Sequence, residues 1–218
     1  MSTVKPTLIY VYDPLCGWCY GFHPVMEKLQ KRFGDQVSIE VKVGGLAVGE
    51  RAQTINEGFS YIKDGLQQVE KSTGIEFGRN FRLLVDEGSY MYDSMPPCRA
   101  QKTMNELAPE KALQFAGTLQ EAIFRDGKNL NDWSTYEELI SDYDVDHDEF
   151  KARFESDELR DELIDEFTWC RNHGATGFPS LLIKIGNEIS IMARGYRPFD
   201  TVESHLHHLI RNLEKIGS

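Results

Sequence analysis

The chain has 218 residues, of which 40% are hydrophobic and 27% are charged, so it can bury a core and lacks the composition of a disordered protein. Its 24 Lys and Arg residues and 35 Asp and Glu residues give a formal net charge of −11, which repels phosphate backbones and anionic membrane surfaces. We therefore expect neither a nucleic-acid partner nor a membrane partner. No apolar run approaches the ~18 residues of a membrane span.

The N-terminal part of the chain predicts a strand, a helix and a second strand. Residues 7–12 (TLIYVY) are apolar and β-rich, as in a buried central strand, and residues 37–43 alternate like a second strand. Between them, apolar side chains repeat with helical spacing over residues 25–33. Cys16 and Cys19 therefore lie where the first strand meets the first helix.

The pattern changes in the middle of the chain. The glycine-rich stretch 44–49 lacks the Lys and Ser or Thr of a phosphate-binding loop and predicts a flexible turn. Helical periodicity dominates residues 50–155 and predicts four or five helices, and residues 156–218 predict a helix, two strands joined by a tight turn, and a final amphipathic helix. We predict an α/β protein in which residues 1–49 and 156–218 form one discontinuous domain and residues 50–155 form an inserted helical domain.

The spacing of Cys16 and Cys19 predicts redox chemistry. Two cysteines separated by two residues in a helical turn bring their sulfurs close enough to form a disulfide, and such a pair can cycle between dithiol and disulfide. In the first turn of a helix, free backbone N–H groups and the positive end of the dipole stabilise a thiolate. We therefore predict that Cys16 is the attacking nucleophile and that Cys19, one turn further in, is the resolving thiol.

A zinc site is the rival interpretation of this motif. Cys16, Cys19 and His23 could supply three ligands, but a structural zinc site draws its fourth ligand from a second cysteine or histidine pair, and no such pair has suitable spacing. We predict no metal and no cofactor. No secretory leader pattern is visible, so we expect a cytoplasmic protein whose four cysteines are kept reduced.

Two motifs together resemble the thioredoxin superfamily: the Cys-Gly-Trp-Cys motif at 16–19 after a strand, and the Gly-Phe-Pro-Ser stretch at 177–180 before another. The order of elements resembles the DsbA-like branch, in particular its cytoplasmic FrnE-like members. The resemblance implies a thioredoxin-like fold with an inserted all-helical domain. It also implies a thiol–disulfide oxidoreductase or isomerase that acts on disulfide-containing proteins or small thiols, served by a reductase partner.

The same resemblance implies roles for residues near the cysteine pair. Pro179 would follow a cis peptide bond and face the pair, leaving the backbone of Phe178 free to bind an extended substrate. Trp18, Phe178 and Pro179 are therefore the predicted substrate-binding residues. Two features depart from the branch: Gly-Trp stands where its periplasmic oxidant has Pro-His, and Phe178 stands where a smaller residue is common. Strong oxidant character is thus not predicted.

The remaining cysteines and the function leave alternatives open. Cys98 is either a third redox thiol above the active site or a small apolar residue packed inside, and Cys170 is predicted to be inert core. The alternative functions are a glutathione-dependent transferase or isomerase of the kappa-class type, and a non-enzymatic, chaperone-like binding module. The binding module predicts that serine variants of Cys16 and Cys19 keep their activity.

Overall fold

The structure, a computed structural model, describes residues 5–217 and is organised around a four-stranded sheet. The strands in chain order are β1 (Thr7–Tyr12), β2 (Ser38–Val43), β3 (Gln53–Thr54), β4 (Met91–Tyr92), β5 (Ser180–Ile185) and β6 (Glu188–Arg194). The α-helices are α1 (Gly17–Phe33), α2 (Ile55–Gly58), α3 (Ile62–Thr73), α4 (Arg79–Glu87), α5 (Met95–Leu107), α6 (Ala112–Phe124), α7 (Trp133–Ile140), α8 (His147–Glu155), α9 (Asp157–Asn172) and α10 (Phe199–Gly217).

The four-stranded sheet has the strand order β2-β1-β5-β6. β1 runs parallel to β2 and antiparallel to β5, and β6 completes the sheet antiparallel to β5. The apolar sequence of β1 suits this interior position, because every residue from Leu8 to Tyr12 is at most 1% exposed. The predicted strand–helix–strand order of the first part of the chain and the α/β fold class are confirmed.

The segment between β2 and β5 is largely helical, but the predicted number of helices is wrong. Residues 50–155, all of them described, form seven α-helices rather than four or five, and they also contain β3 and β4, which pair antiparallel. These helices are short. Gly74 after α3 and Gly88 after α4 take left-handed backbone angles (φ 79° and 76°), which end each helix within a few turns. Apolar periodicity over such short segments merges neighbouring helices into one pattern.

Two main hydrophobic clusters fill the interior. One surrounds α1, the sheet and α10, and the other fills the helical segment between β2 and β5. The clusters interlock across the predicted boundary, since Leu15 and Ala47 pack in the second cluster while Cys98 and Ala116 pack in the first. The helical segment is therefore fastened to the start of α1, and the domain limits at 50 and 155 stay a prediction.

The last part of the chain returns to the sheet. Ser156 caps α9 by accepting the N–H of Leu159 at 3.2 Å, and Gly186 makes the turn between β5 and β6 with a φ of 58°. β6 then runs back along β5 as far as Arg194, as the predicted pair of strands joined by a tight turn requires. None of the described helices has both the length and the apolar character that crossing a bilayer demands.

Phe115 provides a test of the packing in the helical segment. Its side chain on α6 is fully buried and makes edge contacts with Tyr143 and Phe150, at centroid distances of 5.3 and 6.2 Å. Phe115→Ala leaves a cavity, so we expect chemical denaturation to give a free energy of unfolding lower by about 3–5 kcal/mol. Gln114→Ala, on the exposed side of the same helix, should change it by less than about 0.5 kcal/mol. Equal effects of the two variants would contradict the packing.

Candidate active site

Cys16 lies at the beginning of α1, where the chain leaves β1. It is the N-cap residue, with extended backbone angles (φ −91°, ψ 109°), and its Sγ atom accepts the backbone N–H of Cys19 at 3.3 Å. Oxygen-bearing side chains usually satisfy such a free helical N–H, and here a sulfur does so. The helix therefore directs an N–H group and the positive end of its dipole at the Cys16 sulfur.

The two thiols of the motif have different surroundings. Both are free, but Cys16 keeps 7% of its surface exposed and lines a pocket, whereas Cys19 is completely buried. Burial raises the pKa of Cys19 well above its ordinary value, and a hydrogen bond and electrostatic interaction with Cys16 raise it further. Cys19 is thus held as a neutral thiol while Cys16 is the thiol that a solute can reach.

The loop before β5 meets Cys16 from the other side. The Phe178–Pro179 peptide bond is cis, and the carbonyl oxygen of Phe178 accepts a hydrogen bond from the Cys16 Sγ at 3.6 Å. Ser180 Oγ donates to the carbonyl of Gly177 at 2.7 Å, which ties the loop to the start of β5. Pro179 itself is buried. The two motifs that the sequence analysis paired are therefore in direct contact.

Cys16 opens into a pocket of about 380 Å³. One side of the pocket comes from the start of α1, with Cys16 and Trp18, and from the loop that carries Phe178. The other side comes from the helical segment, mainly α3. Trp18 is half-buried, and its ring lies 6.4 Å from that of Tyr196. Of the predicted site residues, Cys16, Trp18 and Phe178 share this pocket, whereas Cys19 and Pro179 are buried and do not line it.

The sequence analysis missed the function of the two glycines after β2. A Cβ atom on Gly44 would lie 1.9 Å from the Phe178 ring, and one on Gly45, whose φ is 66°, would lie 2.8 Å from Phe167. The Phe178 ring therefore occupies the space that any side chain at position 44 would need. The signal was the Gly-Gly pair directly after a strand, which indicates a close approach as well as a turn.

Asp13 joins three segments beneath the pocket. Its carboxylate is fully buried and accepts the N–H of Leu15 at 2.9 Å, the N–H of Leu46 at 2.7 Å and the hydroxyl of Ser94 at 2.9 Å. Burial raises the pKa of Asp13, and these donors oppose that rise. The carboxylate holds the turn before Cys16, the loop after β2 and the start of α5 together. Nothing in the sequence indicated that Ser94 would meet Asp13.

The other two cysteines lie inside the protein. Cys98 is completely buried, with its Sγ atom 3.9 Å from the Asp13 carboxylate, and burial and the charge of Asp13 raise its pKa well above the ordinary value. Cys170 donates to the carbonyl of Val43 at 3.7 Å, and burial and the charge of Glu166 raise its pKa to about 12. These surroundings favour neutral, packed thiols at both positions.

The zinc interpretation finds no support in the geometry. Within residues 5–217, no group of three or more His, Cys, Asp or Glu side chains is arranged to hold a metal ion. His23 is buried on α1, and burial lowers its pKa to about 4 because the charged imidazolium is poorly solvated there. Its Nδ1 atom has no hydrogen-bond partner among the described residues, and its Nε2 atom lies 3.7 Å from Glu27.

Comparison with protein families gives a match to the DSBA-like thioredoxin domain over residues 7–207. The chain belongs to this family. Among curated proteins, it is 25% identical over 155 residues to the ClpXP adapter protein SpxH of Bacillus subtilis, and 27% identical over 132 residues to SpxH of Halalkalibacterium halodurans. The matches cover 70% and 58% of this chain but only 50% and 42% of those relatives, so the chain spans about half their length.

Solved structures share the fold over almost the whole chain. A "putative protein disulfide isomerase" from Nitrosomonas europaea is 25% identical, with a TM-score of 0.85 over 95% of this chain and 98% of that one. The cytosolic disulfide reductase DsbM from Pseudomonas aeruginosa is 23% identical, with a TM-score of 0.80 over 94% and 98%. A 2-hydroxychromene-2-carboxylate isomerase, 15% identical, gives 0.64 over 97% and 100%. The last two likenesses concern the fold alone.

The Gly44–Phe178 contact can be tested with a double-mutant cycle. Gly44→Ala forces a Cβ atom into the Phe178 ring, so we expect the free energy of unfolding to fall by about 1–3 kcal/mol. In a Phe178→Ala background the same substitution meets empty space, so its cost should largely disappear. Equal costs of Gly44→Ala in the two backgrounds would show that the contact is absent.

His23 predicts a specific loss of stability in acid. Its folded pKa of about 4 lies below the ordinary 6.5, so the unfolded chain takes up a proton first as the pH falls through 6.5. This group should therefore lower the free energy of unfolding by about 2 kcal/mol between pH 7 and pH 4.5. We expect denaturation series at both pH values to show that difference reduced in His23→Gln. The exposed control His207→Gln should keep the wild-type pH dependence.

Proposed function

We propose that the protein is a thiol–disulfide oxidoreductase or isomerase that acts on protein or small-molecule disulfides through Cys16 and Cys19. The observation that carries the proposal is the position of the Cys16 sulfur. It caps the N-terminus of α1, contacts the carbonyl that precedes Pro179, and opens into a pocket. Membership of the DSBA-like thioredoxin domain family supports this assignment.

The proposed cycle has two steps. The Cys16 thiolate attacks one sulfur of the substrate disulfide, that S–S bond breaks, and the other substrate sulfur leaves and takes up a proton. Cys19 then loses its proton and attacks the Cys16 sulfur, which forms the Cys16–Cys19 disulfide and releases the second substrate thiol. Two electrons pass to the substrate, and a thiol reductase partner returns them. In isomerisation a substrate thiol attacks the mixed disulfide instead, with no net electron transfer.

The substrate-binding roles of Trp18, Phe178 and Pro179 belong to the same proposal. The Phe178 carbonyl accepts the Cys16 S–H in the resting dithiol. Once Cys16 loses its proton, this carbonyl becomes free to accept a backbone N–H from an extended substrate, as in strand addition. Pro179 keeps that segment in place from the interior, and the half-buried Trp18 offers an aromatic surface beside the reacting sulfur.

The cellular setting and the domain limits are further parts of the proposal. We place the protein in the cytoplasm, as the name of its structural neighbour DsbM says of that reductase. We keep residues 50–155 as an insertion between the two parts of the thioredoxin-like domain. A glutathione-dependent isomerase and a partner-binding module remain the competing functions, since an isomerase shares the fold and the curated relatives are named as adapters.

Serine variants of the cysteines separate these functions. We expect Cys16→Ser to abolish reduction of a protein disulfide such as that of insulin, because the attacking sulfur is lost. Cys19→Ser should instead accumulate a mixed disulfide on Cys16, visible by mass spectrometry, because the resolving step is blocked. Cys170→Ser, which alters a buried thiol outside the pocket, should keep full activity. Full reductase activity in Cys16→Ser would overturn the proposal, and glutathione conjugation retained there would favour the transferase.

A further inference from the structure

Gly65 has no structural reason within the fold to be glycine. It lies inside α3 without a left-handed backbone, and a Cβ atom built there would have no described atom within 4 Å apart from the backbone of its own helix turn. Glycine in a helix interior is destabilising relative to alanine, because the unfolded chain gains freedom. Ile62, Gly65, Leu66 and Val69 form the helix face that lines the Cys16 pocket. The missing side chain therefore leaves open space in the pocket, on the wall contributed by α3.

The floor of the same pocket is aromatic. The rings of Phe77, Phe81 and Phe124 are buried and contact one another, with centroid distances of 4.9 to 5.6 Å. A Cβ atom on Gly17, between the two cysteines, would lie 3.2 Å from the tip of the Phe77 ring. The aromatic floor thus begins beside the redox motif, so a group attached to a sulfur bound at Cys16 can extend along it.

The charged side chains that line the pocket are all positive. Arg51 and Arg171 line it, and none of the described Asp or Glu residues does so, although the whole chain carries a net charge of −11. Neither arginine forms an ion pair with a carboxylate of the described chain. Each uses one guanidinium nitrogen on an uncharged oxygen, Arg51 on the Gly45 carbonyl and Arg171 on the Thr168 hydroxyl. Their remaining donors suit an anionic group of a ligand.

We propose that the pocket binds a small disulfide that carries a carboxylate and an aromatic arm, and that Gly65 determines this specificity. The arm lies between the α3 backbone at Gly65 and the aromatic floor, while the carboxylate meets Arg51 and Arg171. The volume of about 380 Å³ is in the range of small-molecule sites. This inference names a substrate class for the same site, and it rests on the proposed function of Cys16 and Cys19.

Four disulfide probes vary the aromatic ring and the negative charge of the substrate independently. Dithiobis(nitrobenzoate) is aromatic and anionic, dithiodipyridine is aromatic and neutral, dithiodipropionate is anionic without a ring, and hydroxyethyl disulfide has neither feature. With dithiobis(nitrobenzoate), Cys16 forms a mixed disulfide and releases one nitrothiobenzoate. Cys19 then attacks Cys16 and releases the second, so the dithiol supplies both electrons. Each rate constant for the reduced protein is divided by that of a free small thiol, which removes the intrinsic reactivity of the probe.

The proposal predicts a distinct pattern of normalised rate constants in stopped-flow measurements. The normalised rate constant of dithiobis(nitrobenzoate) should exceed that of hydroxyethyl disulfide by about tenfold or more, because one well-placed contact stabilises binding by that factor. Gly65→Leu should slow both aromatic probes by about tenfold without affecting hydroxyethyl disulfide, because the leucine fills the space of the arm. Gln67→Leu, on the exposed side of α3, should leave all four rates unchanged. Arg51→Gln combined with Arg171→Gln should slow only the two anionic probes, and added salt should do the same.

Three outcomes distinguish a failure of this inference from a failure of the proposed oxidoreductase function. Equal normalised rates for the four probes, with hydroxyethyl disulfide still forming the Cys16–Cys19 disulfide, would overturn the inference and leave the oxidoreductase intact. If Cys16 reacts with none of the four probes, both the inference and the proposed oxidoreductase function are overturned. If circular dichroism shows that Gly65→Leu is unfolded, the test rests on the double variant of the exposed residues Arg51 and Arg171. Equal slowing of charged and neutral probes by that double variant would also overturn the inference.

Discussion

The contact between the Cys16 sulfur and the Phe178 carbonyl joins two parts of the chain that lie 162 positions apart. It depends on the antiparallel pairing of β1 with β5, in which Val11 is opposite Ser180 and Tyr10 is opposite Leu181. Antiparallel pairing places the end of one strand beside the start of the other. The residues that follow β1 and those that precede β5 therefore meet at the same end of the sheet, and this pairing brings the two motifs close together.

The loop after β2 reaches the same end of the sheet for a related reason. β2 is parallel to β1, with Tyr12 opposite Val43, so the loop after β2 emerges next to the loop after β1. Asp13 fixes the two loops to each other by accepting the N–H groups of Leu15 and Leu46. Gly44 then supplies the flat surface on which the Phe178 ring rests. The position of the Phe178 carbonyl over Cys16 is thus set by backbone topology, one buried carboxylate and one missing side chain.

The sequence could predict the parts of this arrangement that local chemistry determines. The buried strand β1, the cysteine pair at a helix start, and the proline before β5 each have a local signature. Contacts such as Ser94 with Asp13 were not predictable, because they join residues 81 positions apart and no periodicity marks either one. The helix count failed for a different reason: glycines such as Gly74 and Gly88 divide the helical segment into pieces too short for an apolar face to be recognised.

The asymmetry of the two thiols suits the order of the proposed steps. Four causes raise the pKa of Cys19: burial first, then its hydrogen bond with Cys16, then a negative charge on Cys16, and last the charge of Asp13. When Cys16 enters a mixed disulfide, it can no longer bear a negative charge, so one of the four causes is removed at the moment Cys19 has to lose its proton. Burial remains and still opposes ionisation. Cys19 therefore stays protonated while Cys16 is free, and it becomes easier to ionise only after a substrate is attached beside it.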